Sequence, residues 1–253
     1  MPRPQPRMLE VLRTEMVTPN MRRVVFGGQE ITTIPEGYEG GYIKLIFPDA
    51  PHSTPDRVVM RTYSIRAFDA DKGEMAVDFA LHGDAGGLAT DWAMTVQPGD
   101  RILIGGPGSV KMVDPAADWV MLAGDMTAIP ALMCNFERLT ADTKGYVVIE
   151  ITSEADKQDL NLPEGIELHW VINPTPEKLE GKLVEQIKAL PWLEGQVSVW
   201  TACEFDSMRA LRSYYRTDRG VGRDQIYLSS YWRAGRTEDQ HKVDKQVDSA
   251  KAA

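Results

Sequence analysis

The sequence predicts an antiparallel β-barrel over residues 1–114, followed by a doubly wound parallel-sheet α/β domain over residues 115–253. Three observations lead there. Before Asp114-Pro115, short β-prone runs are separated by Gly, Pro and Asp clusters, the pattern of a barrel or sandwich. After it, apolar runs alternate with stretches of helical spacing, as repeated βα units do. The first of those runs, residues 119–123, is almost continuously apolar, as a strand covered on both faces should be.

In the first half, strands are expected at 22–26, 41–47, 61–66, 74–82 and 101–104, the last after the turn Pro98-Gly99-Asp100. Only 88–96 has helical spacing there. In the second half the strand at 119–123 leads into a helix from about 127 to 139. Strands at 146–152 and 167–172, a helix at 177–190, a strand at 197–202, a helix at 206–216 and a strand at 225–231 follow. The tail after Arg236 is polar, with only Val243, Val247 and alanines to pack, and reads as a loosely held helix.

Composition narrows the function classes. A hydrophobic share of 43% and a charged share of 26% over 253 residues are those of a soluble globular chain with room for one large core or two ordinary ones. A formal charge of −9 disfavours a nucleic-acid partner, whose phosphates reward basic surfaces. Cys134 and Cys203 lie far apart without CxxC spacing, which fits a reducing compartment rather than a disulfide framework. With four histidines in addition, no resident zinc or iron–sulfur site is expected, so redox chemistry would need an organic cofactor. No apolar segment follows the charges at the N-terminus, and no run of 18 apolar residues occurs. A cytoplasmic protein without a membrane partner is the expectation.

Five segments carry chemistry. Arg61-Thr62-Tyr63-Ser64 sets a guanidinium, an aromatic ring and hydroxyls along one strand. These suit a pyrophosphate, a flat ring face and a polar ring edge, although strand alternation puts Tyr63 and Ser64 on opposite faces. Residues 78–90, from Asp78-Phe79 through His82 and three glycines to Leu88-Ala89-Thr90, read strand, loop, helix start. Such a loop brings backbone amides close to an anion; taken alone, it serves equally as a tight turn. Gly124-Asp125-Met126-Thr127-Ala128-Ile129-Pro130 is the turn after the first parallel strand, where nucleotides bind in such sheets. It lacks the repeated glycines of a pyrophosphate cradle. Cys203-Glu204 ends the fourth parallel strand, where Cys203 either faces a nicotinamide or is a small buried residue. Tyr231-Trp232-Arg233 ends the fifth, and either covers a ring or seals an interface.

Together, the Arg-x-Tyr-Ser strand and the Asp-Phe-Ala-Leu-His-Gly loop about 20 residues later resemble the flavin-binding signature of siderophore-interacting proteins, a branch of the ferredoxin-reductase-like superfamily. Tyr42–Pro48, Trp92-Ala93, Gly106-Pro107-Gly108-Ser109, Trp119–Asp125 and Tyr231–Asp239 extend the resemblance over nearly the whole chain. It implies an FAD-dependent reductase of ferric siderophores, of catecholate or hydroxamate type, with NADH, NADPH or reduced ferredoxin as donor and a monomer as the working unit. By position, Arg61, Thr62, Tyr63, Ser64, Asp78, Phe79, His82, Gly87, Leu88, Ala89 and Thr90 would line the FAD. Asp125, Thr127, Cys203 and Glu204 would face the electron donor. Lys44, Lys111, Arg233 and Arg236 are the candidates for holding an anionic siderophore. No side chain is expected to act as acid, base or nucleophile, and iron is expected only as the bound chelate. A general NAD(P)H–flavin oxidoreductase and a siderophore carrier that does not reduce its cargo are the competing readings.

Overall fold

The computed structural model describes residues 5–81 and 87–252. The chain forms two compact units, one ending at Lys111 and the other beginning at Met112.

The first unit contains β1 (Arg7–Thr18), β2 (Met21–Gly27), β3 (Tyr42–Phe47), β4 (Val59–Ser64), β5 (Ala67–Asp69), β6 (Glu74–Ala80), α1 (Leu88–Thr95) and β7 (Arg101–Gly108). The strands form one antiparallel sheet in the order β4-β3-β7-β1-β2-β6-β5. Alternation builds its core: Ile43, Leu45 and Phe47 of β3 point inward, while Tyr42 is exposed. Each such inward aliphatic side chain is worth roughly 1.5–3 kcal/mol of burial. Helix α1 adds Ala89 and Ala93 to this core, and Trp92 stacks on Phe26 with ring centroids 6.1 Å apart. Strands β1 and β5 fall outside the segments expected from the sequence pattern.

The second unit contains β8 (Trp119–Gly124), α2 (Ile129–Phe136), β9 (Gly145–Ile151), β10 (Ile166–Ile172), α3 (Lys182–Ala189), β11 (Val197–Glu204), α4 (Phe205–Ser213), β12 (Ile226–Trp232) and α5 (Glu238–Ala252). Its strands are all parallel, in the order β10-β9-β8-β11-β12. The central strands β8 and β11 are buried at every position. Between them the winding direction reverses, and the crevice beyond their carboxyl ends is the place where doubly wound sheets bind ligands.

Three helices depart from expectation. Helix α3 begins at Lys182 rather than near 177, because Leu179 (φ 56) and Gly181 (φ 75) are left-handed and interrupt any earlier start. Helix α4 ends at Ser213, and Tyr214–Asp218 continue as a wider π turn. Helix α5 is tied down, not loose. Its Asp248 receives Arg212 through two bonds of 2.6 and 2.8 Å and Arg209 at 3.1 Å. Its His241 is 4% exposed and lies 2.8 Å from Ser230 Oγ.

No helix among the described residues is long and apolar enough to cross a membrane. Among the same residues no group of three or more His, Cys, Asp or Glu is placed to hold a metal ion.

Candidate functional site

In the first unit, β4 stands at an edge of the sheet and pairs with β3. Opposite residues of an antiparallel pair share a face. Arg61 opposite Leu45 and Tyr63 opposite Ile43 therefore point to the core side, while Thr62 opposite Lys44 and Ser64 opposite Tyr42 point away. The Tyr63 ring lies 4.3 Å from that of Phe79 on β6, and Arg61 Nη1 donates to its neighbour's carbonyl, Met60 O, at 2.8 Å.

Helix α1 begins after Gly87, and no described side chain caps it. A Cβ built at Gly87 meets no described atom within 4 Å. The first turn of α1 thus offers amide groups to an approaching anion. Thr90 and Ala89 behind it are buried. An edge strand carrying a half-buried arginine and tyrosine, together with a helix start that no described side chain caps, fits a flavin dinucleotide.

Two residues expected along such a ligand are committed elsewhere. Asp78 sits directly opposite Arg23 on β2 and accepts from it at 2.6 and 2.8 Å. Phe79 is fully buried in the core and reaches a ligand only by supporting Tyr63. His82 lies outside the described residues.

In the second unit, the carboxyl ends of β8 and β11 carry two buried carboxylates. Asp125, 5% exposed, accepts from the Thr127 amide at 3.0 Å, from the Thr127 hydroxyl and from the Trp232 indole at 2.8 Å. The Glu204 amide also donates to it. Glu204, 4% exposed, caps α4 by accepting from Asp206 N at 2.6 Å and Ser207 N at 3.2 Å, and its other oxygen takes Ala234 N at 3.3 Å. Burial raises both carboxyls above the usual range, while these hydrogen bonds oppose the rise.

Glu150 was not expected here. The register places Gly124 beside Ile149, so Glu150 stands next to Asp125 along the sheet edge. Burial first, and then the charge of Asp125, push its carboxyl up to about 7. A lone acid near the end of the apolar run YVVIEI was the signal in the sequence. Cys203 is buried, and burial raises its thiol well above the usual value, which keeps it protonated and unreactive.

The siderophore candidates divide between the units. Lys44 is half-buried on the outward face of β3, and Lys111 is exposed at the end of the first unit. Arg233 and Arg236 belong to the second, where both pair with Asp244 of α5, at 2.7 and 3.4 Å. The Arg233 guanidinium also lies 4.4 Å from the centre of the Phe205 ring.

Comparison with known proteins adds the family. The profile described as siderophore-interacting protein matches residues 117–235, and that of the siderophore-interacting FAD-binding domain matches 10–56 and 52–111. The chain belongs to the siderophore-interacting protein family. Within it, an uncharacterized protein of Mycobacterium tuberculosis is 37% identical over 96% of both chains. The ferric vibriobactin reductase ViuB of Vibrio cholerae is 31% identical over 96% of this chain and 94% of its own. Among solved structures, the siderophore-interacting protein SipS from Aeromonas hydrophila superposes with a TM-score of 0.84 at 35% identity, covering 97% of this chain and 98% of that one. A cytochrome P450 reductase from Amycolatopsis, 21% identical over 92% of this chain and 72% of its own, shares the ferredoxin-reductase-like fold with a TM-score of 0.65. FAD is therefore the cofactor of the family's first domain.

Proposed function

We propose that the protein is a flavin-dependent reductase of ferric siderophores that releases iron as Fe(II) in the cytoplasm. FAD, when bound, would supply two-electron uptake from a donor and one-electron delivery to ferric iron, two Fe(III) for each pair. The reading is carried by one observation in a family whose members include a ferric vibriobactin reductase. Arg61 and Tyr63 lie on an edge strand in the same unit as a helix start that no described side chain caps.

The protein's own groups bind and orient. Arg61 and the first amides of α1 hold the pyrophosphate. Tyr63, backed by Phe79, gives the ring a flat face, and Thr62 and Ser64 serve its polar edge. Asp78 keeps β2 and β6 in register through Arg23 and contributes to the site indirectly. Lys44 and Lys111 draw an anionic chelate to the first unit by charge. Exposed pairs of this kind give about 0.2–1 kcal/mol each, which suits a substrate that must leave after reduction. Arg233 and Arg236, both tied to Asp244, serve the fold.

Anaerobic stopped-flow absorbance tests the reading. The purified yellow protein, reduced and then mixed with a ferric catecholate, should regain its flavin absorbance as Fe(II) forms. A colourless protein that takes up no FAD would overturn it and leave a non-reducing carrier.

A further inference from the structure

Three neighbouring parallel strands carry a polar side chain at their carboxyl ends: Asp125 after β8, Glu150 in β9 and Asn173 after β10. Their hydrogen bonding differs. Asp125 is filled by the Thr127 amide and hydroxyl, the Trp232 indole and the Glu204 amide. Glu150, half-buried, has the Asn173 side chain and the Leu183 amide as donors, whereas a carboxylate accepts about four. It forms no ion pair among the described residues, and the nearby Lys182 is taken by Glu180 at 2.8 Å. Asn173 is 3% exposed, and its Oδ1 has no donor among those residues. This stretch of the sheet edge is rich in acceptors and short of donors.

A dinucleotide brings the missing donors. Helix α2 starts without a side-chain cap, and the Met126 and Ile129 amides have no acceptor among the described residues. The turn after β8 can therefore take a pyrophosphate. In doubly wound sheets the adenosine ribose then lies over the next strand out, where an acid accepts from its 2′-hydroxyl. Strand β9 is that neighbour, on the side of β8 away from β11. A plain ribose offers two adjacent O–H donors to Glu150. A 2′-phosphate instead brings about two negative charges. The lysines that follow β9 and β10 already face acids, Lys157 at Glu154 and both Lys178 and Lys182 at Glu180.

We propose that Glu150 is a specificity-determining residue for the electron donor: it accepts from the adenosine 2′-hydroxyl of NADH and turns away the 2′-phosphate of NADPH. The inference rests on the reductase reading only in treating the bound dinucleotide as a donor. Burial and the charge of Asp125 push the Glu150 carboxyl up to about 7, so at pH 8 it is mostly ionised. An arriving phosphate meets that charge or forces a proton onto it, and either course weakens binding.

Calorimetric titration of the oxidised, FAD-loaded protein at pH 8 tests this, with NAD+ against NADP+ and 5′-AMP against 2′,5′-ADP. Thermal unfolding run alongside confirms folding. Wild type should bind the member of each pair without the 2′-phosphate at least about tenfold more tightly. Glu150→Gln should bring both ratios below about threefold, chiefly by tighter binding of the phosphorylated member. Glu150→Asp keeps the charge and should keep the direction of the preference. A merely structural role for Glu150 would weaken both members of a pair alike. Equal binding by wild type, a preference for NADP+, or binding of neither dinucleotide would overturn the inference. So would a folded Glu150→Gln protein that keeps the wild-type ratios. If that variant does not fold, Glu150→Ala is judged by the same ratios. Transfer from dithionite-reduced protein to a ferric catecholate, measured separately, tests the reductase reading without any dinucleotide.

Discussion

The Trp232 indole donates to the Asp125 carboxylate at 2.8 Å, across 107 positions of sequence. This bond joins the last parallel strand to the first. Because the Glu204 amide meets the same carboxylate, Asp125 holds together the carboxyl ends of β8, β11 and β12.

Trp232→Phe keeps an aromatic ring, removes the donor and some ring volume, and leaves a buried carboxylate one partner short. Loss of about 1–2 kcal/mol is expected, measured as a lower urea midpoint with an unchanged slope. Asp125→Leu with Trp232→Phe should cost less than the sum of the two single changes, since neither partner is then left unsatisfied.

Asp78 gives a sharp test of cofactor contact against scaffold. Asp78→Asn should weaken the two-pronged pair with Arg23 and cost about 2–3 kcal/mol. The flavin content of the folded protein should remain as in wild type. Arg61→Ala should do the reverse, with flavin lost on gel filtration and a near-normal unfolding midpoint of the apoprotein. Flavin loss confined to Asp78→Asn would place that carboxylate on the ligand instead.

Lys44→Ala with Lys111→Ala should raise KM for an anionic ferric catecholate about five- to tenfold and leave kcat nearly unchanged. Adding salt should shrink the difference, because exposed charges are screened over about 10 Å at 0.1 M. An equal effect on a neutral ferric hydroxamate would count against recognition by charge.

Stability should respond to pH at both ends. Burial, with help from Lys245, holds His241 at about 4, below its unfolded value near 6.5. Between those values the unfolded chain binds the extra proton, so stability falls as pH drops through this window. Glu150 behaves oppositely. Its folded value of about 7 exceeds the unfolded one, so the folded state holds the extra proton and stability falls as pH rises from 4.5 to 7. Glu150→Gln should therefore gain about 1–2 kcal/mol over wild type at pH 8 and almost nothing at pH 4. Thermal unfolding of both proteins across this range checks the sign.

Much of this was legible in the sequence, for physical reasons that can be named. Strands β8 and β11 are buried on both faces, so their apolar runs left no ambiguity. Strand β1 stayed hidden because both of its faces carry apolar groups. Leu9 and Val11 point inward while Met8, Leu12 and Met16 are exposed. Irregular register between Val11 and Arg13, and between Met16 and Thr18, also shifts the alternation partway along. The late start of α3 depends on the left-handed Leu179, which no periodicity reveals. Asp125 and Glu204 were found because they end strands at the winding reversal. Their partners were not, since Trp232 and Ala234 are brought to them only by folding. The pairing of Arg233 with Asp244 likewise exists only in the folded chain.

Strand β7 is the last strand of the first sheet in the chain, yet it sits in the middle, between β3 and β1. Without it the sheet is two pieces, β4-β3 and β1-β2-β6-β5. A nascent chain that has not yet delivered residues 101–108 holds two half-sheets with open edges and exposed Met8, Leu12 and Met16 alongside. Completion of this sheet during synthesis therefore comes late, and interrupted translation would yield a fragment prone to pairing with its neighbours.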